Sequence, residues 1–154
     1  MQINEYRLVQ NKYNHPSLDL LSAHSCRINN LRSYDNIFRF FKLCLKMDKL
    51  SEEYLYVISY DAILNPLGVY QISHGSSTHA EMYEKNLFEF LLLTGADQFV
   101  LIHNHVNGTL EISNNDIKTT IDILALSSKL KIEFIEHMII SKNGYKLIRE
   151  TENY

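Results

Sequence analysis

An apolar run, Phe99-Val100-Leu101-Ile102, passes directly into His103-Asn104-His105. A short unbroken run of this kind suits a strand buried on both faces, so the histidines stand where such a strand leaves the core. Residues two apart on extended backbone project to the same side, and both imidazoles therefore converge on one point. Ser113 follows after seven residues and Asp116 after two more, with Gly108 in a short polar loop between. That loop turns the chain back before a helix begins near Ser113, which returns the Asp116 carboxylate towards the imidazoles. Two neutral nitrogens and one carboxylate oxygen make a three-ligand set with a fourth tetrahedral position open to water, the inventory of a hydrolytic zinc site. One Zn²⁺ per chain is expected on His103, His105 and Asp116. Manganese, iron or cobalt suit the same ligands, so the geometry is specified more firmly than the element.

The same residues carry a plainer meaning. Ser113-Asn114-Asn115-Asp116 is a capping box, in which the serine accepts from a backbone N–H and the acid reaches back. An N-cap serine can still face a cavity, but Asp116 is not expected to serve metal and cap fully at once; with His103 and His105 nearby, the metal is favoured. His74, His79 and His137 read first as surface or core histidines. His15 and His24 lack ligand spacing, and Glu81 has a sufficient reason for its place in the dipole of a helix start.

The flanking segments suggest one α/β (α+β) domain, a mixed sheet with helices on both sides. Residues 1–30 are polar and poorly periodic and read as an N-terminal arm, a short strand or an irregular segment, with a turn at Asn14-His15-Pro16-Ser17. Helical spacing of Ile37, Phe40, Phe41, Cys44 and Leu45 predicts an amphipathic helix from Tyr34 to Met47. Tyr54 to Tyr60 and Leu67 to Ser73 read as a hairpin around Asn65-Pro66. A helix over Glu81 to Thr94 ends at Gly95, and another over Asn114 to Lys129 is expected to bury Ile117, Ile121 and Leu124. Strands over Ile132 to Ser141 and Tyr145 to Arg149 meet at Asn143-Gly144, a hairpin signal.

Several function classes lose support. A formal charge of −3 offers no general attraction to phosphate, so a nucleic-acid partner is not supported. The early cations Arg27, Arg32, Arg39, Lys42, Lys46 and Lys49 read as a solvated helix face. No apolar run approaches the roughly 20 residues of a membrane helix, and a cytoplasmic location with Cys26 and Cys44 reduced is expected. A zinc deaminase would need Pro-Cys-x-x-Cys, and a non-haem iron oxygenase would not need further acid and hydroxyl partners. In HNH nucleases the three named residues are dispersed, so the contiguous His-Asn-His is a coincidence of letters.

The spacing His-x-His, seven residues, Ser, two residues, Asp resembles the JAMM motif of JAB/MPN metalloprotease-like domains. His-Asn-His-x-x-Gly is the form it takes in their RadC-like branch. The likeness extends to the stretch Ser51 to Asp61, to His137-Met138-Ile139-Ile140 and to Gly144-Tyr145, and begins near Asp35. It implies a single JAB/MPN domain over residues 31–154 and a hydrolase that cleaves a peptide, isopeptide or related amide bond of a peptide or protein substrate. It also implies that Glu53, eight residues before Asp61 as in the family pattern, is the general base, while Glu52 points to the opposite face. Ser113 then helps hold the oxyanion. Val106-Asn107 replaces the family's Pro-Ser, which puts loop stiffness in question, and Glu136 replaces an aspartate. The alternative is a non-catalytic MPN-like module that binds protein or DNA. Such modules commonly lack motif residues, and here all five, Glu53, His103, His105, Ser113 and Asp116, are present.

Overall fold

The structure, a computed structural model, describes residues 1–75 and 83–152. Its elements in chain order are β1 (Gln2–Gln10), β2 (Pro16–Ser25), α1 (Tyr34–Leu43), a 3₁₀ turn (Met47–Lys49), β3 (Tyr54–Tyr60) and β4 (Pro66–His74). They continue with α2 (Glu84–Thr94), β5 (Gln98–Asn104), α3 (Asn114–Leu130), β6 (Glu133–Ser141), β7 (Gly144–Leu147) and α4 (Ile148–Glu152). The strands form one mixed sheet in the order β2-β1-β4-β3-β5-β6-β7. This is the α/β domain the sequence implies, a sheet covered by helices on two sides.

Central position explains the apolar composition of β3 and β5. Both have paired strands on either side and helices on either face, so Val57, Ile58, Leu101 and Ile102 are fully enclosed. Alternation along the strands divides their side chains between two cores. Tyr56, Ile58, Val100 and Ile102 pack with Ile37, Phe40 and Phe41 of α1. Leu55, Val57, Phe99 and Leu101 pack with Leu87, Phe90 and Leu91 of α2 and Ile123 of α3. Burying an aromatic such as Phe40 or Phe41 stabilises the fold by roughly 2 kcal/mol.

Several expectations need correction. Of the readings open for residues 1–30, the arm and the irregular segment give way to strand: β1 and β2 form an antiparallel hairpin, and β1 joins the sheet in parallel with β4 at Glu5–Val69 and Tyr6–Tyr70. Its inward face escaped the apolar pattern because a polar cluster occupies it. Glu5 Oε2 accepts from Ser22 Oγ at 2.9 Å and lies 2.7 Å from His24 Nε2. Cys26 and Cys44, expected as reduced thiols, are joined as a disulfide. They are 18 residues apart in sequence, and only the docking of the hairpin's exit against the C-cap of α1 brings them together. Helix α1 stops at Leu43, short of Met47, because Lys46 takes a left-handed conformation at φ 54°.

The buried face of α3 is Asp116, Thr120, Ile123 and Ser127, whereas Ile121 is exposed and Ile117 and Leu124 are only half-buried. The polar residues Asp116 and Thr120 turn inward towards the histidines, which rotates the apolar stripe away from where hydrophobicity alone sets it. The last strand ends at Leu147, before Arg149. Buried Glu136 accepts from the N–H groups of Arg149 and Glu150 at 2.8 and 3.2 Å, an anion at a helix start that favours α4 over further strand. Glu81 and His79 lie outside the described residues. Among the described residues, no helix is long and apolar enough to cross a membrane.

Candidate metal centre

Strand β5 carries His103 between Leu55 of β3 and Ile139 of β6, so pairing on both sides fixes its backbone. His105 lies just beyond the strand, and its N–H donates to Ile140 O at 2.9 Å, which keeps the chain in line through the second histidine. Both rings turn to the α3 side, with their Nε2 atoms 3.0 Å apart. Asp116, in the first turn of α3, brings Oδ1 to 3.2 Å from His103 Nε2 and Oδ2 to 3.6 Å from His105 Nε2. One donor atom from each of the three residues lies within 4.8 Å of the others. Among the described residues, no other histidine, cysteine or acid cluster meets that condition.

Atoms bearing lone pairs repel at such separations unless a proton or a cation lies between them. Two imidazole nitrogens and a carboxylate oxygen, largely shielded from water, suit zinc and its first-row neighbours. The residues present therefore fit a divalent metal. Burial alone would raise the Asp116 carboxyl, but its close contacts with His103, His105 and Ser113 outweigh it and hold the group far below the usual carboxylate range. It stays anionic, as a metal ligand must.

Metal and cap do not compete for Asp116 as expected from sequence. Oδ2 accepts from the Ser113 N–H at 2.8 Å and from Ser113 Oγ at 2.7 Å, while Asp116 N–H donates to Ser113 Oγ at 3.1 Å. The capping box is complete on one oxygen, and Oδ1 remains turned to His103. The cap aims the ligand. The same contacts commit the Ser113 hydroxyl proton to Asp116, away from any oxyanion.

Asn104, between the two histidines and 1% exposed, points to neither. Its Oδ1 accepts the Tyr54 N–H at 2.7 Å and its Nδ2 donates to Glu52 O at 3.0 Å. These contacts bracket Glu53, whose own carbonyl accepts from Gly75 N at 2.9 Å. Glu53 immediately precedes β3 and is two residues before Leu55, the partner of His103, so strand phase assigns it the face of the histidines. Glu52 belongs to the other face, where its carboxylate lies 3.2 Å from His74 Nδ1. The Val106-Asn107 loop has its own restraint: Asn107 Oδ1 accepts from the N–H and hydroxyl of Thr109, both at 3.0 Å, and Asn143 Nδ2 donates to Gly108 O at 3.0 Å.

Sequence reasoning missed His137 and Thr120. His137, 2% exposed, lies with Nε2 2.9 Å from His103 Nδ1 and Nδ1 2.8 Å from Thr120 Oγ1. Burial pushes its pKa well below the usual histidine value and keeps it neutral. A shift in the β5–β6 register leaves Ile135 without a partner, so Phe134 and His137, three residues apart, both serve the α3 side. Period-two alternation would have separated them. The available signal was the run His137 to Ile140, which belonged to the family likeness but had no chemical role attached.

Residues 31–153 match the family model described as the RadC-like JAB domain. A UPF0758 protein of Thermotoga maritima is 27% identical over 116 residues, covering 75% of this chain and 52% of that protein. One from Finegoldia magna is 25% identical over 121 residues, 79% of this chain and 53% of its own length. One from Trichodesmium erythraeum is 28% identical over 103 residues, 67% of this chain and 42% of its own. The chain thus spans about half the length of these relatives. With the family model matching from the start of α1 to the end of the fold, and the motif histidines and aspartate gathered at one point, the chain belongs to the RadC-like JAB domain family.

Proposed function

We propose that this domain is a metal-dependent hydrolase that cleaves a peptide, isopeptide or related amide bond. The observation that carries the reading is the convergence of His103, His105 and Asp116 beside the chain segment that holds Glu53. His103, His105 and Asp116 would hold one Zn²⁺, which when bound supplies Lewis-acid polarisation and lowers the pKa of water towards about 7. Glu53 takes a proton from the attacking water on its carboxylate and returns it to the amide nitrogen as the C–N bond breaks. Hydroxide is thereby added to the carbonyl carbon and the amine leaves neutral. Ser113 enters in two separable ways: it holds Asp116, and it is the candidate donor to the carbonyl oxygen once its hydroxyl turns from Asp116.

The test begins with a peptide and isopeptide library screened with zinc-loaded wild type. Glu53→Gln keeps size and hydrogen bonding but removes the proton acceptor, so kcat should fall by roughly 10²- to 10⁴-fold with metal content unchanged. Activity that survives in Glu53→Gln but vanishes on chelation would refute the base and leave the metal. Full metal occupancy without turnover of any library member, together with a protein or DNA partner retained in pull-down, would replace the hydrolase by the non-catalytic module.

A further inference from the structure

The hydrogen bonds behind His103 run in one direction. Thr120 Oγ1 donates to the backbone carbonyl of Asp116 at 2.7 Å and lies 2.8 Å from His137 Nδ1. A hydroxyl has one proton. With that proton on the Asp116 carbonyl, Thr120 Oγ1 is an acceptor towards His137, which must donate from Nδ1. A neutral imidazole then has only a lone pair at Nε2, so the 2.9 Å contact to His103 requires His103 to donate from Nδ1. A neutral His103 then keeps a lone pair at Nε2, facing the cluster 3.2 Å from Asp116 Oδ1 and 3.0 Å from His105 Nε2, whose N–H can supply the proton between them. The reversed circuit fails at its far end: Thr120 would donate to His137, leaving its oxygen 2.7 Å from the Asp116 carbonyl oxygen with no proton between them.

We infer that His137 and Thr120 are positioning residues that lock His103 in its Nδ1-protonated tautomer and so keep Nε2 available as a metal ligand. The purpose of this lock rests on the metal-centre part of the proposed function, but its chemistry is set in the ion-free protein. Its path joins the two ligand-bearing elements, starting at His103 on β5, crossing β6 and ending on the backbone of Asp116 in α3. His137 and Thr120 are buried at 2% and 0% exposure, so water does not offer His103 Nδ1 a competing partner. A hydrogen bond that fixes ring orientation and tautomer typically changes metal affinity by about 10- to 100-fold when removed.

The tautomer is directly measurable. In the ion-free, ¹⁵N-labelled chain, long-range ¹H–¹⁵N correlations should report His103 protonated at Nδ1 and unprotonated at Nε2. Thr120→Val, which keeps the shape but removes the acceptor, should shift His103 towards a mixture of tautomers and weaken Zn²⁺ binding in a competition titration by about 10- to 100-fold. Thr120→Ser should restore both values. His137→Gln, whose amide can accept from His103 and donate to Thr120, should bind Zn²⁺ more tightly than His137→Leu. Predominant Nε2–H on His103 in the wild type overturns the inference without recourse to any variant. So does Thr120→Val with wild-type tautomer and affinity. A wild type that binds no Zn²⁺ overturns both this inference and the proposed function, whereas the expected tautomer and affinities with no hydrolysis remove only the hydrolase.

Discussion

Asn104 holds Tyr54 at the start of β3, accepting its N–H at 2.7 Å from a position between the two metal-site histidines. Its Nδ2 simultaneously donates to the Glu52 carbonyl at 3.0 Å, so the residue that separates the histidines also fixes the backbone on both sides of Glu53. Asn104→Ala removes both bonds from a buried site and should destabilise the chain by about 1 to 3 kcal/mol in denaturant titrations. It should lower kcat while leaving zinc stoichiometry intact. Asn104→Asp keeps the acceptor but loses the donor, and should fall between. A variant that loses zinc and retains stability would refute this assignment.

Purified chain should hold about one zinc, a count set by one three-ligand site. His103→Ala with His105→Ala should abolish that stoichiometry in elemental analysis after mild dialysis. Unchanged metal content in the double variant would sink the ligand assignment.

Ser113→Ala should cost more than an ordinary cap. Loss of an N-cap serine destabilises by about 1 kcal/mol, and here the same hydroxyl also holds Asp116 Oδ2. The variant should therefore be less stable and bind zinc more weakly. If stability and metal affinity stay at wild-type values and only kcat falls, the hydroxyl acts on the carbonyl oxygen alone, and the positioning role is wrong.

The β3–β4 turn should be acid-sensitive. Asp61 accepts from the N–H and side chain of Asn65, both at 2.8 Å, and from the Ile63 N–H at 3.0 Å. The Asn65 backbone bond, followed by its side-chain bond, holds the Asp61 carboxyl below its usual value. Because the folded pKa is the lower one, this stabilisation is fully present above the unfolded value of about 3.9 and is lost as pH falls through the folded value. The gap in thermal midpoint between wild type and Asp61→Asn should thus shrink from pH 7 to pH 3. A gap of equal size at both pH values would disprove the contribution.

The convergence of the three candidate donors was legible because their spacing is local in character. A buried strand, two residues of like phase and a capped helix start each follow from neighbouring residues, and together they bring His103, His105 and Asp116 to one point. The central strands and the helix on each side were readable for the same reason. Apolar periodicity reports burial whenever one element packs in a simple way.

What the sequence determined by itself was therefore the mixed sheet and the gathering of His103, His105 and Asp116 into a group that could hold a metal ion. Only the tertiary structure decided that Asp116 divides its two oxygens between cap and cluster, that residues 1–30 complete the sheet, and that His137 and Thr120 stand behind His103. Each of these depends on groups far apart in the chain. An unpartnered residue in β6 rephases His137, and the inward turn of Asp116 and Thr120 rotates α3. Local periodicity carries no record of either, because a buried polar contact is specified by its partner and not by its own neighbours.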